Sequence, residues 1–319
     1  MNGLVVAGAF VGGLVLYPPA IRSLRRLGLR QVERSDGPQS HLSKAGTPTA
    51  GGLVFCILLA AVWGLALRDP LGGVVVAAAA LGGAIGLLDD LRKAHRGEGL
   101  RVRPKFLLLT VCAAILALGL SATHASVELV PGLGMRDLGW GGIALAALAM
   151  LATANAANLT DGVDGLAAGC AIPALVACGS AAALEQKMSL AVTCWSAAAL
   201  ILAFLFFNLP KARVFMGDAG SLAIGLLIAA AAAETGLLVL LPLLAAVFLA
   251  ETLSVIAQVG YFKLTGGRRL LRMSPLHHHL ELGGLSEWAI DLRLWSVSLV
   301  TAGLVVGWAF WSGIQGVHP

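Results

Sequence analysis

Five carboxylates stand out in a chain otherwise poor in charge: Asp89, Asp90, Asp161, Asp164 and Asp218. Asp89 and Asp90 close an apolar run and lead into Leu91-Arg92-Lys93. Adjacent acids at the C-terminal end of a helix oppose its dipole, so a divalent cation or a positive neighbour has to compensate them. Asp161 and Asp164 lie in a glycine-broken turn after Asn155 and Asn158, whose i, i+3 spacing puts both amides on one helix face. One helix cap explains one acid there, not two acids and two amides. Asp218 follows Asn208-Leu209-Pro210-Lys211-Ala212-Arg213-Val214-Phe215-Met216-Gly217, ahead of a helix start, where it could cap the helix or bind a metal. Phe215 beside it could stack on a base, although aromatics near a membrane edge are commonly belt residues.

Basic and hydroxyl groups accompany the acids. Lys44, followed by Thr47, Thr49 and three glycines at the start of an apolar run, makes an anion cradle without a Walker A pattern. His277, His278 and His279 are consecutive, so helical geometry separates them by about 100° each and keeps all three from one metal. The run instead supplies one or two phosphate contacts and a loop support. Carboxylates for a hard divalent cation, cations for phosphate and a ring for a base point to Mg²⁺-assisted phosphoryl transfer on a nucleotide. The membrane edge points to a lipid phosphate as second substrate.

These residues need elements to bring them together. The 319-residue chain is 58% hydrophobic and 12% charged, about half the charge of an ordinary soluble domain. This excludes a soluble enzyme, a disordered chain and a nucleic-acid binder, and predicts an all-α, polytopic integral membrane protein. Ten apolar runs approach the length of a span: 3–21, 50–67, 71–88, 104–122, 140–158, 166–184, 189–207, 220–234, 236–259 and 292–311. The first run has no charged n-region before it, and its arginines follow it, which predicts an uncleaved helix. Nineteen of the 22 Lys and Arg fall after odd-numbered runs, which makes those loops cytoplasmic and both termini external. A single transmembrane catalytic domain over 1–319 follows, with active-site loops 22–49, 89–103, 159–165, 208–219 and 260–291. The five cysteines lie in apolar runs without a CxxC pair, and read as small buried hydrophobes.

Ion-coupled transport is a rival reading, since acids inside membranes often mark ion pathways. Transport sites, however, tend to lie near the midplane of inverted repeats. No repeat is visible here, and only Glu251 lies deep in a span. A non-catalytic scaffold would leave the acid cluster unexplained.

Asp89-Asp90-Leu91-Arg92-Lys93, the stretch from Asn155 to Leu166 and that from Asn208 to Ser221 resemble the three signatures of the polyprenyl-phosphate N-acetylhexosamine-1-phosphate transferases. The segments at 44–52, 251–259, 263–266 and 274–281 are similar to the branch that uses UDP-MurNAc-pentapeptide. The match runs in order from about 41 to 290. Ala50 stands where that branch usually has Met, and Leu280 where an aromatic is usual; both affect packing and leave the acids in place.

The resemblance implies transfer of phospho-MurNAc-pentapeptide to undecaprenyl phosphate, giving lipid I and UMP, with Mg²⁺ as cofactor. A UDP-GlcNAc-dependent relative is the alternative. By motif position, Asp218 is the metal ligand, helped by Asp89 and Asp90, with His277 joining these three as a candidate catalytic residue. Asp89 is the better candidate of its pair to deprotonate or orient the lipid phosphate. Asn155, Asn158, Asp161, Asp164, Asn208, Phe215 and Gln258 would line the nucleotide side. Lys44, Thr49, Lys93 and His277 to His279 would hold phosphates. The resemblance further implies a homodimer in the bacterial inner membrane, cytoplasmic active-site loops, a role in cell-wall synthesis and inhibition by nucleoside antibiotics. Direct in-line attack by the lipid phosphate is favoured over a covalent Asp intermediate, because a metal-held phosphate oxyanion is already a nucleophile.

Overall fold

The computed structural model describes residues 2–30, 46–120, 126–127, 136–137 and 139–314. Its architecture is the all-α membrane bundle expected, with a two-residue antiparallel ladder, Ser126–Val127 against Arg136–Asp137, as the strand structure among the described residues. Nine helices among them are long and apolar enough to cross a membrane. They are α1 (Asn2–Arg26), α3 (Pro70–Arg96), α4 (Val102–Gly119), α5 (Trp140–Thr160), α6 (Leu166–Leu184), α7 (Met188–Asn208), α8 (Gly217–Glu234), α10 (Ala246–Leu264) and α12 (Glu287–Ile314). The predicted second run is the shorter α2, Gly52–Val62, extended by a π-helical turn, Trp63–Leu67, and stopped by Arg68 in the left-handed conformation.

Burial sorts these helices into layers. In α8, 89% of the apolar window is buried, against 22% in α1, α4 and α12 and 17% in α10. Helix α8 is therefore the axis of the bundle, and those four present their outer faces to lipid. Alanine and glycine dominate α8, so the backbones of α3 and α5 pack closely on it.

Three boundaries differ from the sequence reading, and each matters to the site. Helix α3 runs to Arg96 rather than ending near 88, with Lys93, His95 and Arg96 in its last turn and left-handed Gly97 as terminator. Asp89 and Asp90 thus sit inside a helix, seven and six residues from its end, where its dipole weighs little. The predicted ninth span, 236–259, is broken. Gly236 turns at φ +68°, a 3-10 turn spans Leu238–Leu240, and Pro242 opens the four-residue α9 (Leu241–Leu244). Proline lacks the N–H that a continuing helix would need, which seats it in the first turn of α9, and a second break at Ala245 (φ −107°, ψ 30°) separates α9 from the spanning helix that starts at Ala246. The segment predicted as a loop over 260–291 contains the end of α10, the short α11 (Leu276–Glu281) and the start of α12.

Candidate active site

The site begins where α3 crosses the N-terminus of α8. A Cβ at Gly86 would overlap the carbonyl of Asp218, so glycine is what lets the two backbones meet. Gly217 starts α8 at φ +71°, hard against Asp90 and Thr49. The first turn of a helix leaves N–H groups unsatisfied. Two of them, on Asp218 and Ala219, donate to Asp90 Oδ1 and Oδ2, both at 3.1 Å. Asp218 is therefore not the cap; Asp90, from another helix, caps α8 in its place. The positive compensation expected for Asp90 comes from the N-terminus of α8.

Asp218 faces two ammonium groups. Lys93 Nζ lies 2.9 Å from its Oδ1, and Lys105 Nζ, from α4, contacts its Oδ2. Lys93 also pairs with Asp89 Oδ2 at 2.6 Å, while Asp89 Oδ1 accepts from Leu100 N at 2.7 Å. Carboxylate oxygens of Asp89, Asp90 and Asp218, all three buried, lie within 4.8 Å of one another. Three backbone N–H groups hold Asp89 Oδ1 and both oxygens of Asp90, Asp89 Oδ2 meets Lys93 as an ion pair outside hydrogen-bond geometry, and both oxygens of Asp218 face side-chain ammonium groups. Three hard oxygen donors this close, with cations already drawn to them, suit a divalent ion such as Mg²⁺. Such an ion would take the place of ammonium on Asp218, since long lysine side chains move at less cost than backbone.

Around this centre the polar residues are tied together. Asn158 Oδ1 accepts from Lys105 Nζ at 3.5 Å and its Nδ2 donates to Ser221 Oγ at 2.9 Å. Asn208 accepts from Gly165 N and donates to Val214 O, both at 3.0 Å, and Asp164 accepts from Ala212 N at 3.0 Å. These two residues staple the 161–165 turn to the 208–216 loop. That loop pairs with the segment before α2: Phe215 N donates to Pro48 O at 2.8 Å and Gly51 N to Phe215 O at 2.9 Å. Phe215 is half-buried, and Thr49 Oγ1 beside Gly217 is buried without a hydrogen-bond partner among the described residues. Asn155 turns back on its own helix, Nδ2 to Leu151 O at 2.7 Å. Lys44 lies outside the described residues. Asp161, just past the end of α5, has its carboxyl pushed well up from the usual range. Burial is the main cause, followed by the charges of Asp218, Asp90 and Asp164, with Lys93 opposing.

The histidine run divides as its geometry requires. His277 is fully buried, with Nδ1 3.2 Å from Glu251 Oε2. His278 Nδ1 meets Glu281 Oε2 at 3.2 Å, and His279 Nδ1 accepts from Arg272 N at 3.1 Å. Gln258 Oε1 accepts from Leu270 N and Leu271 N at 3.1 and 2.8 Å, which fixes the basic loop behind α10.

The structure thus gathers Asp89, Asp90, Asp218, Lys93 and Asn158 at one junction and holds Asp164, Asn208 and Phe215 on the adjoining loops. The residue that sequence reasoning missed is Lys105, which counted only as one positive charge in a cytoplasmic loop. Its position two residues after Arg103 at the start of an apolar helix was the available signal.

A buried acidic triad with paired lysines, where the interior of α3 meets the N-terminus of α8 in a membrane bundle, suits a membrane transferase acting on phosphorylated groups. The family model described as glycosyl transferase family 4 matches residues 73–236, just over half of the chain and the part that carries the triad. The phospho-N-acetylmuramoyl-pentapeptide-transferase of Moorella thermoacetica is 46% identical over 301 residues, covering 92% of this chain and 94% of its own. That of Geobacillus kaustophilus is 42% identical over 320 residues, covering 97% and 98%, and that of Desulforudis audaxviator 43% over 336, covering 98% of each. The chain belongs to the phospho-N-acetylmuramoyl-pentapeptide-transferase family within glycosyl transferase family 4.

Proposed function

We propose that this protein transfers phospho-MurNAc-pentapeptide from UDP-MurNAc-pentapeptide to undecaprenyl phosphate, releasing UMP and forming lipid I at the cytoplasmic face of the bacterial inner membrane. The observation that carries this reading is the Asp89–Asp90–Asp218 triad at the α3–α8 junction, with Lys93 bridging Asp89 and Asp218 and Lys105 paired to Asp218.

Mg²⁺ bound by Asp218, with Asp89 and Asp90, supplies charge neutralisation for the diphosphate. The chain's own residues do the rest. Asp90 fixes the α8 N-terminus and so the place of Asp218. Asp89, held by Leu100 N, orients the incoming lipid phosphate, whose oxyanion attacks the β-phosphate in line. Lys93 and Lys105, on leaving Asp218, hold phosphate oxygens, together with Lys44, Thr49, His278 and His279. Phe215 stacks on uracil, and Asn155, Asn158, Asp161, Asp164, Asn208 and Gln258 shape the nucleotide side. His277 completes the catalytic set, its ring pressed on the turn between Asp161 and Asp164. The protein is read as one catalytic domain over 1–319 whose loops at 22–49, 89–103, 159–165, 208–219 and 260–291 face the cytoplasm. It works as a homodimer with external termini and is a target of nucleoside antibiotics.

The test supplies purified protein with Mg²⁺, undecaprenyl phosphate and either UDP-MurNAc-pentapeptide or UDP-GlcNAc. UMP release with the first alone is expected. Release only with UDP-GlcNAc would overturn the substrate assignment and leave the transferase chemistry standing.

A further inference from the structure

The catalytic scheme has no use for Glu251, yet its carboxylate is fully buried. A buried carboxylate is retained only where partners offset its desolvation. On α10, Glu251 and Gln258 are seven residues apart and both buried, hence two turns apart on one face. Both carry acceptors used by the same downstream segment. Gln258 Oε1 takes the N–H groups of Leu270 and Leu271, and Glu251 Oε2 takes that of His277 at 3.2 Å. Two points roughly 10 Å apart along the axis of α10 therefore hold the 270–277 segment.

Glu251 does more than hold the backbone. Its Oε2 also lies 3.2 Å from His277 Nδ1, an ion-pair contact outside hydrogen-bond geometry, so one carboxylate oxygen faces both the amide and the ring. A carboxylate at Nδ1 favours the tautomer that carries its proton there, leaving Nε2 as the acceptor. The other end of the ring meets Gly162, where a Cβ would overlap Nε2. Gly162 lies between Asp161 and Asp164. We propose that Glu251 is a positioning residue: it sets the orientation and tautomer of His277, and through that ring the 161–165 turn at the site. The inference rests on the reading that His277 belongs to the reacting site.

The experiment compares E251Q, H277N and the double variant E251Q/H277N in full-length protein. Glutamine still accepts the His277 N–H, so the fold survives while the charge that orients the ring is lost. E251Q should lower kcat by about 10–100-fold, the range seen when a residue behind an active ligand is removed, with the nucleotide-sugar KM changed by less than about threefold. The double variant should be no slower than H277N alone, since Glu251 acts through that ring. Normal kcat in E251Q beside an impaired H277N, or losses that multiply in the double variant, would overturn the positioning role. Normal kcat in H277N would instead sink the placement of His277 in the site. ¹⁵N spectra of histidine-labelled protein give a readout free of activity. The His277 signal should show Nδ1–H in the wild type and an altered tautomer balance in E251Q; an unchanged balance counts against the proposal.

Discussion

Asp218 and Asp90 share a junction and differ in duty. Both oxygens of Asp90 are committed to backbone N–H groups of α8, whereas, among the described residues, both oxygens of Asp218 meet lysine ammonium groups. Asp218→Asn keeps size and removes the charge that a divalent ion needs. Several kcal/mol of charge stabilisation depend on it, so UMP release should fall by roughly 10²–10³-fold or more, in a protein that remains folded. Near-normal UMP release would refute the metal role. Asp161 gives a prediction in pH. Its carboxyl is raised in the folded protein, so the folded state keeps a proton that the unfolded chain loses. That contribution is neutral below the unfolded value, about 4, and becomes destabilising as pH climbs from there toward the raised folded value. Melting curves of metal-free protein against pH should therefore fall more steeply for the wild type than for Asp161→Asn. Parallel curves would show that Asp161 is not held protonated.

At the scale of the helices, the α3–α8 crossing decides whether the site exists. Gly86→Ala forces a methyl into the Asp218 carbonyl, a backbone overlap that no rotamer change relieves. Overpacking of this kind costs about 1–3 kcal/mol, so the variant should melt lower and turn over more slowly, and added Mg²⁺ should not restore the rate. Wild-type melting would mean that the crossing is looser than described. This junction also marks the limit of what the sequence could tell. The apolar runs and the five acids were legible because hydropathy and charge are local properties. Asp90 as the cap of α8 was not, because the donor and acceptor are 128 residues apart. Neither was the role of Lys105, since a lysine at a helix start looks the same whether it meets solvent or Asp218. The run over 236–259 looked continuous because its hydropathy is continuous; Gly236 and Pro242 broke it by backbone geometry. The seven-residue interval from Glu251 to Gln258 was visible, but its meaning needed the segment that folds back on α10.

For the whole molecule, the charge asymmetry predicts an orientation that labelling can check. Among the described residues, Glu98 follows α3 on the same side as the triad, and Gln186 lies in the turn between α6 and α7. Single cysteines placed at these positions in a variant freed of its own thiols should behave oppositely in intact cells. A membrane-impermeant maleimide should label position 186 and spare position 98. The reverse pattern would invert the topology, and with it the side on which nucleotide must arrive.

The close contact of Gly86 with Asp218 has a consequence for resistance to inhibitors. A compound that leans on the α3–α8 junction rests on a surface that substitution can hardly reshape: position 86 has no room for a methyl group, and position 217 holds a left-handed conformation against Asp90. Escape must come from softer ground. Were the protein inhibited by a nucleoside as proposed, selection with that compound should yield changes in the 208–216 loop, where Lys211 and Arg213 are exposed and Phe215 is half-buried, and none at 86 or 217. The glycines that allow the helices to meet would then also be the most durable part of the target.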